Sequence, residues 1–202
     1  MTDIATAWTE TAALKNKAQR WVLQALQDKL PLFPFPIIGL DSDNGSEFIN
    51  DHLVAFCQQH QITFTRSRPE RKNDNCYVEQ KNWVIVRKMV GYRRYDTPEQ
   101  LALLNQLYAV LRLYTNFFQP TQQLVRKERR GAALRRYYDE PKTPYQRVLA
   151  AEHVSADAKE QLRKLFLTLN PAALQRQLNR LQLDLIAIAP EPVTLNTADG
   201  HS

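Results

Sequence analysis

The sequence predicts an α/β core followed by an α-helical C-terminal region, and three observations predict it. Through residue 66, short apolar or alternating runs take turns with amphipathic stretches in the order strand, helix, strand, helix, strand. From residue 97 a long stretch of helical spacing opens with a capping signature. Beyond residue 120 a basic stretch leads into two narrow leucine stripes of helical period.

Taken in order, AWTETAAL from Ala7 to Leu14 alternates weakly and holds Trp8, Thr9 and Thr11, which suits a strand. From Asn16, a residue type that caps helices, Ala18, Val22, Ala25, Leu26 and Leu30 recur at helical spacing until Pro31, Pro34 and Pro36 intervene. IIGLD, residues 37–41, is a short apolar run of the kind found in a strand buried on both faces. A short helix follows, with Phe48, Leu53, Phe56 and Cys57 on one side, and ITFTRS reads as the next strand. SRPERKNDN, residues 67–75, lacks periodicity and reads as a loop. In the helix expected from about Cys76, Val78, Asn82, Ile85 and Met89 form one stripe with Glu79 at its border. TPEQ at 97–100 is a capping box with proline at the first helical position, and Leu101, Leu104, Tyr108, Leu111 and Thr115 mark a long helix. After FFQP the basic stretch begins, which places a domain boundary at residue 120 and makes 121–188 a basic linker with a helical region. There Leu162, Leu165, Phe166 and Leu169 mark one helix. Asn170 and Pro171 open another, with Leu174, Leu178, Leu181 and Leu185. Residues 189–202 read as a disordered tail.

A chain of 202 residues with 44% hydrophobic content can build one medium domain and an appendage. Two cysteines, Cys57 and Cys76, are too few for a disulfide scaffold, and four scattered histidines make no zinc site. The apolar run from Leu30 to Leu40 holds three prolines and is short of the roughly 20 residues a membrane helix needs. The first ten residues have no basic start or apolar segment of a signal peptide. These features lead to the expectation of a soluble, cytoplasmic protein.

The net charge of +6 is unevenly spread. Residues 66–94 hold nine bases against three acids, and residues 119–147 hold eight against three. The rest of the chain is therefore acidic, and two concentrated positive segments favour a polyanionic partner, because each neutralised phosphate releases counterions.

The chemistry-bearing stretch is GLDSDNGSEF, residues 39–48, with Asp41 and Asp43 at the end of the apolar run. By itself an Asp-Asn-Gly sequence is most often a turn. Carboxylates held on rigid elements around a hard cation, however, are the means of handling phosphate oxygens. Asp43 at a strand end and Glu79 at a helix border are separated by 35 residues. Together with TDIATAWTETAAL, IIGLDSDNGSEFIN and the stretch from Arg66 to Tyr95, this makes residues 1–120 resemble the catalytic core of DDE transposases and retroviral-type integrases, in particular bacterial insertion-sequence transposases. In that family a (S/T)DNGxEF segment ends a strand with the second catalytic aspartate, and a helix supplies the glutamate about 35 residues later.

The resemblance implies a ribonuclease-H-like mixed sheet flanked by helices and a site using two Mg²⁺ or Mn²⁺ ions, ligated by Asp43 and Glu79, for phosphoryl transfer on DNA. It implies DNA contacts from Arg66, Arg68, Arg71, Lys72, Lys81, Arg87 and Lys88, and assembly as a homo-oligomer. Asp41, on the same strand face as Asp43, is a reserve ligand. The family's first catalytic aspartate lies on a strand before TDIATAWTE, so the expectation is an N-terminally truncated core, its first strand missing, deficient in one ligand and inactive. Asp3 is expected to cap a turn. A DNA-binding remnant without catalysis and a ribonuclease-H-like nuclease are the alternatives.

Overall fold

Short polar side chains set where most helices of this chain begin. The computed structural model describes residues 1–42, 51–66, 88–91, 93–131 and 133–189. Within them α1 spans Gln19–Lys29, a 3₁₀ turn Leu30–Leu32, β1 Gly39–Ser42, α2 Asp51–Gln59 and β2 Thr63–Arg66. A single helical turn, α3, covers Lys88–Val90, and α4 runs over Pro98–Phe118. Then come β3 Leu124–Arg130, β4 Ala133–Tyr138, α5 Pro144–Ala150, α6 Ala156–Thr168 and α7 Pro171–Ile188. The chain is thus a mixed α/β protein; the described residues form two small sheets, and no helix among them is long and apolar enough to cross a membrane.

The capping box expected at residue 97 forms. Thr97 Oγ1 accepts from the Gln100 amide at 3.1 Å, and Gln100 Oε1 accepts from the Thr97 amide at 3.0 Å. The same Thr-Pro-x-Gln chemistry recurs at Thr143 and Gln146 and starts α5. Asn170 caps α7 through the amides of Ala172 and Ala173. Asn16 departs from expectation: its Oδ1 accepts from Ala18 N at 2.9 Å, forming a turn that precedes α1, which begins only at Gln19.

β1 and β2 are parallel neighbours, with Asp41 opposite Thr65 and Ser42 opposite Arg66. Helix α2 makes the crossover between them. Val22 and Leu26 of α1 and Leu53, Phe56 and Cys57 of α2 form one cluster with Ile62, against which Leu40 and Phe64 of the strands pack. The expectation that IIGLD is covered on both faces does not hold, because β1 starts at Gly39 and Ile38 is 80% exposed. Among the described residues β1 has one neighbouring strand, β2.

The expected strand at Ala7–Leu14 forms no ladder among the described residues; a lone antiparallel bridge joins Thr2 and Thr9. Between them Asp3 Oδ2 accepts from the Thr6 amide and hydroxyl, both at 2.6 Å, so Asp3 caps this turn as expected. Downstream, side chains of α4 replace a partner strand. The Asn116 amide accepts from Thr9 N and donates to Thr9 O, each at 2.9 Å, and Asn105 does the same for Ala13 at 3.0 and 3.2 Å. Between the two asparagines, Arg112 grips the fully buried Glu10 carboxylate with two hydrogen bonds of 2.7 and 2.8 Å, and the Trp8 indole donates to the same carboxylate at 3.0 Å. Offsets of seven and eleven put Asn105, Arg112 and Asn116 on one helix face.

The other faces of α4 are apolar. Leu104, Leu107, Tyr108 and Leu111 pack with Leu174, Leu178 and Leu185 of α7. Phe117 joins Trp8, Phe33, Phe35, Tyr145, Val148 and Leu162 in a further cluster, so both cores draw on residues from either side of position 120.

Removing the α4 grip has a calculable cost. Arg112→Met leaves the Glu10 carboxylate buried without its cation and is expected to lower stability by about 3–5 kcal/mol. Asn116→Ala orphans two backbone groups and should cost about 2–4 kcal/mol. Urea midpoints at unchanged slope measure both; losses under about 1 kcal/mol in each variant would show that the N-terminal segment is not held this way.

Candidate metal and nucleic-acid site

In open α/β sheets, ligands meet the carboxyl ends of parallel strands, where loops diverge. Here that end is formed by Ser42 of β1 and Arg66 of β2, paired directly across the ladder. Asp43 is the next residue in sequence after Ser42, the last residue of β1. Asp43, Glu79, Arg68, Arg71, Lys72, Lys81 and Arg87 lie outside the described residues.

Asp41 and Arg66 are the assigned positions at this edge whose side chains are described. Asp41 is exposed, and its Oδ1 accepts from the Thr65 hydroxyl at 2.7 Å, a cross-strand pair that ties the carboxylate to the sheet surface. Arg66 is exposed, with its guanidinium carbon 6.0 Å from the centre of the Phe64 ring. Lys88 opens α3, whose Met89 carbonyl accepts from Gln182 of α7 at 2.7 Å. Met89 and Val90 pack on the α4–α7 core. Among the described residues no three His, Cys, Asp or Glu side chains converge as a metal site does.

The second basic segment is where the structure departs most from the sequence reading. The expected basic linker is instead a hairpin, β3 paired antiparallel with β4, with Gly131 at φ 61° in the turn. That left-handed conformation suits glycine, which carries no Cβ to clash. On one face Tyr137 lies between Arg126 and Arg135, whose guanidinium carbons stand 4.3 and 5.0 Å from its ring centre. The Tyr137 hydroxyl donates to Glu128 Oε2 at 2.8 Å, a bond that together with burial raises its ionisation above the ordinary tyrosine range.

The hairpin is fastened at its root. Arg147 of α5 donates to both Asp139 oxygens, at 2.6 and 3.2 Å, and to the Thr121 carbonyl at 2.7 Å. Asp139 Oδ1 also accepts from the Gln123 amide at 2.6 Å. Arg147 first and that amide second hold the Asp139 carboxyl at about 2, well below its usual range.

The chain matches no protein-family model. It is 46% identical over 147 residues to a Sinorhizobium fredii protein named Uncharacterized protein y4rM, a match covering 73% of this chain and 42% of the relative. The chain thus spans about two fifths of that relative's length. A continuous match of 147 residues in a chain of 202 must contain positions 56–147 wherever it begins, so Glu79 and the hairpin both fall within it.

The low Asp139 value gives the hairpin root a pH signature. A carboxyl depressed on folding stabilises the fold above its unfolded value near 4 and loses that contribution as pH falls towards about 2. Carbon-detected NMR should show Asp139 titrating near 2 in the native chain and moving up towards 4 in Arg147→Met. An unmoved midpoint would contradict the pairing.

Proposed function

We propose that the protein acts on DNA as a phosphoryl-transfer core of the DDE transposase and integrase type, with a ribonuclease-H-like arrangement around the β1–β2 pair. The observation that carries this reading is the convergence of a sequence signature with a sheet edge. The (S/T)DNGxEF segment begins with Ser42, the last residue of a parallel strand whose neighbour ends in Arg66. The β1–α2–β2 crossover, the turn capped by Asp3 and the helices packed on the strands support the same arrangement.

In this reading Asp43 and Glu79 are two of the three carboxylates of the family's site. A donor set made of carboxylates fits a hard divalent cation such as Mg²⁺ or Mn²⁺. Such ions, when bound, activate water or a DNA 3′-hydroxyl and stabilise the leaving oxygen. The chain's own contribution is positioning: Arg66 at the sheet end, with Arg68, Arg71, Lys72, Lys81, Arg87 and Lys88, holds the phosphate backbone by charge. A homo-oligomer that brings two DNA ends together belongs to this reading as well.

The test uses duplex DNA carrying a 3′-hydroxyl end, with Mn²⁺ and with the metal chelated. Salt-sensitive binding is expected, and metal-dependent nicking or joining, by the chain or by a complex that supplies the third carboxylate, should be abolished by Glu79→Gln and Asp43→Asn. Undiminished activity in those variants would reject the assigned site. Binding with no metal-dependent cleavage would favour a DNA-binding module without catalysis, cleavage without joining would favour a nuclease, and no binding at low salt would reject all three.

A further inference from the structure

The β3–β4 hairpin is a ribbon with one face engaged within itself and the other presented outward. Its first face is occupied by the Arg126–Tyr137–Arg135 stack and Glu128. The register places Lys127 opposite Arg136 and Arg129 opposite Leu134 on the second face. Lys127, Arg129 and Arg136 are exposed there, with Leu134 and Tyr138 about half exposed at 51% and 52%. Lys127 and Arg136 have no ion pair among the described residues, and they stand directly across the ladder from each other, so two like charges meet where cross-strand pairing disfavours them. An isolated two-stranded ribbon exposed on both faces is marginal in water. Retaining a repulsive pair on such a ribbon is explained by an anion that neutralises it.

We infer that this ribbon is a duplex-DNA arm, laid in the major groove with the Lys127–Arg129–Arg136 face towards the DNA. The inference rests on the reading that the protein acts on DNA and adds a binding element remote in sequence from Asp43 and Glu79. Three arguments favour this occupant. The strands of the ribbon lie about 4.8 Å apart, and the B-form major groove, roughly 12 Å wide, admits a two-stranded β-ribbon. The A-form groove of duplex RNA is too deep and narrow for it. The Arg147–Asp139 root ties the ribbon's base to α5, so the arm is held in one direction before DNA arrives and less ordering entropy is lost on binding.

The experiment compares the full chain with Lys127→Ala/Arg136→Ala, and with Arg176→Ala/Arg180→Ala on the exposed side of α7 as a charge-matched control. Fluorescence anisotropy across a salt series on a duplex DNA reads affinity. Methylation protection of guanine N7, an atom of the major groove, reads placement. The arm variant should bind at least tenfold more weakly, reduce the slope of log affinity against log salt by about 2, and lose N7 protection; the control should do none of these. Equal losses in both variants, an unchanged slope in the arm variant, absence of N7 protection by the native chain, or the same loss on duplex RNA would overturn the arm. If the arm variant binds as the native chain does while Mn²⁺-dependent nicking persists, the arm falls and the proposed function stands. If the native chain binds no duplex at low salt, both fall.

Discussion

The backbone of residues 9–13 is extended and lies against a helix, with no ladder partner among the described residues, and everything around it depends on how its amides are satisfied. Unpaired backbone groups at a buried position cost as much as lost hydrogen bonds. Helix α4 meets this demand with Asn105 and Asn116, each of which presents an acceptor and a donor to one residue of the extended segment. The Arg112–Glu10 pair lies between them, and its bidentate geometry together with the Trp8 indole offsets the expense of burying a carboxylate. Because the same helix packs against α7 and, through Phe117, against α5 and α6, this polar stripe joins the N-terminal segment to the C-terminal helices in one cooperative structure.

The two positive segments sit in different structural settings on that frame. The first begins at Arg66, at the carboxyl end of the parallel pair, paired with Ser42, which Asp43 follows in sequence. The second is a ribbon tied down at Asp139. In the proposed function the first serves the carboxylates assigned to chemistry; the second lies on a hairpin whose strands pack chiefly on each other. Charge concentrated at two places on an otherwise acidic chain orients a polyanion more strongly than the same net charge spread evenly.

How much of this was legible in the sequence depends on whether a local rule governed the position. Thr97 and Gln100 cap α4, and Asn170 with Pro171 opens α7, because capping needs only residues within one turn. Leu104, Tyr108, Leu111, Leu174, Leu178 and Leu185 are buried as their spacing requires. The second Thr-Pro-x-Gln box, at Thr143, carried the same signal and was hidden by the basic run before it. In that run Gly131 was the mark of a hairpin turn, obscured because neither VRKERR before it nor LRRYY after it shows aliphatic alternation, the cross-strand stabilisation coming from Arg–Tyr stacking. Asn105, Arg112 and Asn116 were readable as a polar stripe on an apolar helix. What they bind, a segment some ninety to a hundred residues away, was not, since helical period says which face a residue occupies and nothing about what covers it. The exposure of Ile38 was likewise illegible, because an apolar run does not state how many strands flank it.

In the proposed function a divalent cation is held at the carboxyl end of the β1–β2 pair. Paramagnetic broadening by substoichiometric Mn²⁺ in the ¹⁵N-labelled chain tests it most directly, since it requires no substrate and no turnover. The amides of Ser42 and Arg66 should broaden first, and Glu79→Gln should weaken the effect. Broadening that starts elsewhere, or that leaves Ser42 and Arg66 sharp while other acidic surfaces respond, would contradict it.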